Sequence, residues 1–395
     1  MAGRRPTGGF PATRTPRGAP GQGGTTLEVT FLPGLGAVVA DEIVERLAPR
    51  RPPRPAPGRD DALRVDVSGP LADVLGLRTA VAAFVVHHFD VPRPRSLTSG
   101  EHLARIVDAM YASLRVAGSS SFRFEAAGSD SAVFARLADE LHAATGLIYD
   151  PRRGELVVRV ARGHGTPDLG WDVLVRLGPR PLSARRWREV DFPGAANATI
   201  AAAMSRLAGV RPGERVLNLM CGSGTLLIER LLSGPVADAV GVDHDPAALA
   251  AAQANLRAAG RPTLHRPRAT GVQPGSATAA HGGPATAVRL VQADATSPAG
   301  LAAALDGEAF DLVLADPPWG GLQGSHETGP AVHAGLLAAA HAVTAPGGRL
   351  AVLTHEVRVM ERAVADAAAL WTPAFPPLRV FAKGHHPRIW LLDRA

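Results

Sequence analysis

Two stretches of this 395-residue sequence carry residue types at spacings that could do chemistry. The first is Val216-Leu-Asn-Leu-Met-Cys-Gly-Ser-Gly-Thr-Leu-Leu-Ile-Glu229, an apolar strand entering a Gly222-Ser223-Gly224 turn from which a helix leaves at Thr225. Glycine serves where the backbone bends sharply and must approach a ligand closely. A helix that starts there offers free N–H groups to a carboxylate or phosphate. Asp243 lies 19 residues after Gly224 at the end of the next expected strand, where a carboxylate can bind ribose hydroxyls. A dinucleotide fingerprint would want a third glycine where Leu227 stands, so the spacing favours a nucleoside ligand over NAD. The second stretch is Phe310-Asp-Leu-Val-Leu-Ala-Asp-Pro-Pro-Trp-Gly320. Two prolines remove two N–H donors and stiffen the chain, leaving the Pro317 carbonyl as an acceptor beside Asp316. Trp319 adds a flat stacking face. Two acceptors and an aromatic plane suit the exocyclic amino group of a nucleobase.

Other candidates have simpler readings. Asp245 before Pro246 reads as an N-cap with proline at the first helical position. Asp294 ends a third strand, where it could accept from an adenine amino group. The fourteen histidines show no metal spacing, since His355-Glu356 lacks the second histidine of a His-Glu-x-x-His site, and no metal is expected. Cys221 reads as a buried small apolar residue rather than a nucleophile. Lys383, His385, His386 and Arg388 form a basic terminal turn, for which solvation is weighed ahead of substrate-phosphate contact. Arg180, Arg185, Arg186 and Arg188 cluster in a connector that suits either a solvated face or an RNA backbone.

The elements that must position these groups follow from periodicity. Residues 1–24 hold seven glycines and four prolines without pattern and read as a disordered tail. Strand, helix, strand, short helix and strand over 25–95 suggest a small α+β, ferredoxin-like unit, and a second α+β unit is expected over 96–180. A connector and a helix, 198–208, capped by Asn197 and ended by Gly209, occupy 181–208. From 209 to 395 the pattern is β/α alternation, with strands at 214–220, 237–242, 288–292, 310–315 and 349–354 and helices near 225–232, 246–259, 330–343 and 357–370. That alternation predicts a doubly wound α/β domain ending in an antiparallel hairpin around Lys383-Gly384. Residues 261–287, rich in Gly, Pro, Ala and Thr and free of acid, read as a flexible insert.

Composition narrows the classes. Hydrophobic residues make up 46% and charged residues 20%, as in globular proteins. No apolar run nears the roughly 18 residues of a bilayer span, and the N-terminus lacks a signal-type apolar region. A single cysteine excludes a disulfide framework and cysteine-based zinc sites, so a reducing cytoplasm is expected. The net charge of +6 is outweighed by the eight arginines of 1–24 and 50–59, so the rest is near neutral. All basic residues but Lys383 are arginine, which permits a nucleic-acid partner without demonstrating one.

The two motifs together bring a resemblance into view. The sequence resembles class I S-adenosylmethionine-dependent amino-methyltransferases, and among them the THUMP-containing RNA guanine-N2 methyltransferases. Met220-Cys-Gly-Ser-Gly-Thr-Leu-Leu-Ile-Glu229 is similar to that family's glycine motif, and Asp316-Pro-Pro-Trp-Gly320 to its Asp/Asn-Pro-Pro-aromatic-Gly site. Pro193-Gly-Ala-Ala-Asn-Ala-Thr-Ile-Ala-Ala202 resembles the family's lead-in helix. The match is specific over 181–395; over 25–180 it rests on element order and Phe122-Arg-Phe124. The resemblance implies a Rossmann-like methyltransferase domain preceded by a THUMP-like RNA-binding region. It implies S-adenosylmethionine held by Asn218, Gly222, Ser223, Gly224, Thr225, Asp243 and Asp294, and a flipped guanine held by Asp316, Pro317 and Trp319. Asn218 stands where the family usually has an acid, which bears on cofactor affinity. The expected partner is RNA, with tRNA ahead of rRNA, and the expected form a monomer. A DNA adenine or cytosine amino-methyltransferase and an inactive RNA-binding relic are the alternatives.

Overall fold

The computed structural model describes residues 24–164, 170–264, 287–318 and 329–395. Nearly all of the expected tail and insert, 1–24 and 261–287, and Trp319 lie outside the described residues. The first sheet contains β1 (Thr25–Thr30), β2 (Arg54–Pro55), β3 (Ala62–Val67), β4 (Ala82–Phe89), β5 (Ser121–Glu125), β6 (Ile148–Tyr149), β7 (Leu156–Arg162) and β8 (Trp171–Arg176), with helices α1 (Gly36–Leu47), α2 (Gly100–Val116) and α3 (Ala132–Thr145). In β5, Phe122 and Phe124 are buried while the residues between them stay partly exposed, the alternation of a half-buried strand. Helix α3 stops where Gly146 turns left-handed, its N–H reaching the His142 carbonyl.

The strand order β2-β3-β1-β4-β8-β7-β5-β6 shows that segments 25–95 and 96–180 share one sheet. Strand β4 of the first segment pairs antiparallel with β8 of the second, from Phe84 opposite Arg176 to Phe89 opposite Trp171. Six of the eight residues of β4 are buried, so an unpaired edge there would strand backbone donors and acceptors away from water.

Helix α4 (Ala198–Ala208) begins at Asn197, whose side chain accepts from the amides of Thr199 and Ile200. The second sheet follows: β9 (Arg215–Leu219), α5 (Thr225–Ser233), β10 (Asp238–Asp243), α6 (Pro246–Ala258), β11 (Thr263–Leu264), β12 (Val288–Gln292), α7 (Pro298–Ala304), β13 (Phe310–Ala315), α8 (Gly329–Val343), β14 (Thr344–Thr354), α9 (Val357–Asp366), β15 (Trp371–Pro373), β16 (Leu378–Arg379) and β17 (Arg388–Arg394). Its order is β11-β12-β10-β9-β13-β14-β17-β15, parallel from β11 to β14, with β17 antiparallel to β14, β15 and β16. Helix α9 ends four residues short of the expected 370, and the chain turns there into edge strand β15. The short, alanine-rich α7 gave no periodic signal of its own.

The chain leaves β9 toward β10 on one side, while β13 adds on the other. The crevice between the C-terminal ends of β9 and β13 is thus the topological switch point where such sheets bind ligands. One apolar cluster joins Leu27 and Ile43 of the N-terminal region through Ile200 and Met204 to Val216 and Leu226. A second, on the opposite face, holds Leu217, Phe310 and Trp371. Among the described residues, no helix is long and apolar enough to cross a membrane.

Glu229 of α5 joins the two regions. It is fully buried and accepts from Arg78 Nη2 at 2.6 Å and Nε at 2.8 Å, and from Arg185 Nε at 2.8 Å. Removing one partner of a buried ion pair leaves the others uncompensated, at about 3–5 kcal/mol. Glu229→Gln is therefore expected to lower stability by about that amount, read as a shifted midpoint in chemical denaturation; an unchanged midpoint would show that the clamp contributes nothing.

Candidate active site

At the switch point, β9 runs into a turn whose backbone is left-handed at Met220, Gly222 and Gly224, with φ of 49°, 52° and 81°. The two glycines serve different ends. A Cβ on Gly224 would lie 3.3 Å from the Cβ of Ala252, so this glycine lets α5 pack close to α6. A Cβ on Gly222 would meet nothing within 4 Å, and Gly222 lines a cavity of about 800 Å³. The cavity-facing glycine is therefore Gly222.

Asp243 holds this turn in shape. Its Oδ2 accepts from the Gly222 amide at 2.8 Å and its Oδ1 from the Asp245 amide at 3.0 Å. Both carboxylate oxygens keep further acceptor capacity, and Asp243 lines the cavity. Asp245 caps α6 by accepting from the Ala247 amide, as expected from its place before Pro246. Cys221 is buried; burial first, then the charge of Asp243, push its thiol pKa up, so it stays a neutral packing group.

Of the residues expected to bind, Gly222, Ser223, Thr225, Asp243, Asp294 and Asp316 line the one cavity. Ser223 Oγ and Asp316 Oδ1 are buried and have no hydrogen-bond partner among the described residues. Asp316 follows β13, whose Ala315 stands opposite Leu219 of β9, so this carboxyl lies directly across from the glycine turn. Burial pushes the Asp316 pKa from its ordinary 3.8 up to about 7. Asp294 is exposed at the rim; its Oδ1 accepts from the Thr296 hydroxyl at 2.7 Å and amide at 2.8 Å, and these bonds lower its pKa. Pro318 rather than Pro317 lines the cavity, and the expected stacking residue Trp319 is among those not described.

Asn218 sits deeper in the sheet than the other expected residues. It is fully buried within β9 and does not line the cavity. Its Nδ2 donates to the carbonyls of Leu219 and Leu314, at 3.0 and 3.2 Å, so the amide ties β9 to β13 from below the site. Its Oδ1 is buried and has no hydrogen-bond partner among the described residues.

Sequence reasoning missed one wall. Residues 192–196 pass over the cavity as a strap, and two groups, one buried and one half-buried, hold it. Asn255 of α6 accepts from the amides of Glu189 and Val190, both at 2.9 Å, and donates to the carbonyls of Val190 and Ser223. Arg188 Nη2 donates to the Ala196 carbonyl and to Thr225 Oγ1, both at 3.0 Å. Arg185 and Arg188 of the connector cluster are thus structural, while Arg180 and Arg186 remain exposed. Among the described residues, no group of three or more His, Cys, Asp or Glu could hold a metal.

A parallel sheet with a glycine turn, an aspartate on the neighbouring strand end and an Asp-Pro-Pro terminus around one switch-point cavity defines a Rossmann-like methyltransferase fold. The chain belongs to the RMKL-like methyltransferase domain family, whose model matches residues 185–386. It is 29% identical over 381 residues to the tRNA (guanine(6)-N2)-methyltransferase of Thermus thermophilus, covering 93% of this chain and 99% of that protein. Its structure is similar to that of TrmN from Thermus thermophilus, with a TM-score of 0.67 and 25% identity over 94% of this chain and 100% of the other. A methyltransferase complexed with SAH shares the fold at a TM-score of 0.59 and 12% identity, covering 95% and 99%.

The desolvated Asp316 carboxyl makes stability depend on pH. A pKa raised from 3.8 to about 7 means that the folded chain binds the Asp316 proton more tightly than the unfolded one. Stability from this group is then fully present below about pH 4 and is lost as pH rises through 7. Asp316→Asn should leave Tm close to wild type at pH 4 and raise it at pH 8. A Tm difference that does not change between these two pH values would show that Asp316 is not held in a desolvated site.

Proposed function

We propose that this protein transfers a methyl group from S-adenosylmethionine to the exocyclic N2 of a guanosine in RNA, with tRNA favoured over rRNA. The observation that carries the reading is the unpartnered Asp316 carboxyl at the end of β13, one strand from Gly222 in a shared cavity. Near full-length similarity to a tRNA guanine-N2 methyltransferase supports the substrate class. The residues present fit the cofactor: Ser223 Oγ is a buried hydroxyl without a partner, Gly222 leaves open space, and Asp243 has unused lone pairs. Asp243 and Asp294 would hold ribose and adenine, and Gly222, Ser223 and Thr225 the amino-acid portion. When bound, the cofactor supplies an electrophilic methyl group on a sulfonium centre.

The chain's own groups do the rest. Asp316 and the Pro317 carbonyl accept the amino hydrogens of the target base, which orients the nitrogen lone pair. Asp316 also stabilises the positive charge that develops on that nitrogen as it is alkylated. Trp319 stacks on the extruded base. Binding amino hydrogens gives Asp316 Oδ1 the partner it lacks and draws its pKa back toward the ordinary range. Much of the acceleration then comes from positioning. Residues 25–180, as a THUMP-like region, grip the RNA by shape and phosphate contacts, and the enzyme works in the cytoplasm as a monomer. Asn218 lends no support to an inactive relic, because it does not line the cavity.

Single-turnover methyl transfer tests the chemistry. Asp316→Asn should lower kcat by about 10²–10³, the scale of one lost transition-state contact, with cofactor Kd little changed. Gly222→Val should instead abolish cofactor binding by calorimetry, since its side chain would enter the space now open. Nucleoside mass spectrometry after incubation with tRNA, rRNA and DNA should find N2-methylguanosine in tRNA. Methylated adenine or cytosine in DNA alone would overturn the reading.

A further inference from the structure

We infer that the tip of the C-terminal hairpin, residues 379–386, is an RNA-contact surface that holds the strand flanking the target nucleotide, a proposal that rests on the functional reading above. The hairpin stands at the right edge. Ala315 pairs with Val352, and Val352 with Trp390, so Asp316 lies level with the start of β17, two strands away. At the spacing of paired strands that is roughly 10 Å. Strand β16 ends and β17 begins at this edge, with Arg379 opposite Arg388, so the turn between them projects beside the base site.

The tip is a closed, basic turn. Residues 378–388 contain no acid. Arg388 is paired with Glu361 at 2.9 Å, and Arg379 Nε donates to His386 Nδ1 at 3.2 Å, but among the described residues neither Arg379 nor Lys383 has a carboxylate partner, and both are exposed. Ala382 and His385 exchange two backbone bonds of 3.0 Å around Lys383 and Gly384, whose φ values are 49° and 82°. This is a two-residue turn that favours Asn-Gly. The chain's only lysine occupies the first left-handed position instead. Phe381 is 40% exposed and its ring lies 5.0 Å from that of His386, an aromatic face of the kind on which bases stack.

The tip is also fixed to the N-terminal region. The Phe381 amide donates to the Pro33 carbonyl at 2.9 Å, and a Cβ on Gly34 would lie 2.1 Å from the Arg379 carbonyl oxygen. An RNA held by the N-terminal region while one base enters the Asp316 cavity must pass this junction. Cations without a carboxylate partner and a flat aromatic face match a phosphate and a neighbouring base.

The test measures RNA binding by the full-length protein across a salt series. Arg379→Gln/Lys383→Gln should weaken tRNA binding about tenfold and reduce the slope of log K against log salt by about 0.7–0.9 for each cation removed. Phe381→Ala should weaken binding about fivefold or more with the salt slope kept, because stacking releases no counterions. Cofactor Kd and Tm should match wild type in the double variant, since its side chains are exposed. Variants that bind tRNA with wild-type affinity and slope would overturn this inference while leaving the methyltransferase reading intact. A wild-type protein that binds DNA and no RNA would overturn both.

Discussion

Leu219 and Ala315 stand opposite each other at the ends of two parallel strands, and every group of the site takes its place from that register. Slipping a strand by one residue would turn its side chains to the other face of the sheet. Val216 and Leu217 would then exchange the two apolar clusters into which they pack. The register is also fixed by polar means. Asn218 donates to carbonyls on both strands from a position wholly without solvent, while its Oδ1 finds no partner among the described residues. An aspartate at this depth would bring a charge into the core and, when ionised, could donate to neither carbonyl. The amide's donor half therefore suits the two carbonyls, and its acceptor half is left unmatched.

That register also explains why Asp316 can be left without a partner. Carboxyl groups in low-dielectric surroundings normally find donors, and an unpaired one costs stability. Strand β13 cannot supply donors at its end, because Pro317 and Pro318 have no N–H to offer. The turn after β9 directs its Gly222 amide to Asp243 instead. The two acidic groups on neighbouring strand ends are thus treated oppositely. Asp243 receives two backbone donors and shapes the loop, while Asp316 receives none at its buried oxygen and remains available to an amine.

Much of this was legible because it is local. A strand, a Gly-Ser-Gly turn and a helix within fourteen residues specify their own geometry, and the step from Gly224 to Asp243 measures one β/α unit. The same holds for Asn197, which caps α4 with atoms two and three residues away. What escaped the sequence depends on distant partners. Asn255 reaches the amide of Glu189 across 66 positions, and no periodicity marks it as the clip that holds the strap. Pairing of β4 with β8 is equally invisible, since both strands read as edges of separate units until the sheet is assembled. The distinction between Gly222 and Gly224 failed for another reason. Both need a left-handed backbone, so residue type alone cannot tell which one faces the ligand and which faces a helix.

Two joints fix the N-terminal sheet against the catalytic one, and they are chemically unlike. One is the buried carboxylate of Glu229 gripped by Arg78 and Arg185. The other is a backbone contact without charge, the Phe381 amide on the Pro33 carbonyl, with Gly34 admitted only because it lacks a Cβ. A body held at one point can swivel about it, and a second joint elsewhere removes that freedom. The apolar core running from Leu27 through α4 to Leu226 fills the space between. Helix α5, which carries Glu229, is the helix that starts at the glycine turn, so the same element bears on the cavity at one end and on the N-terminal region further along. On the functional reading proposed above, the distance between the RNA grip and Asp316 is then set by the folded chain itself. A base is chosen by whether it can reach the cavity while the rest of the RNA is held, a selection by length that needs few contacts to the base.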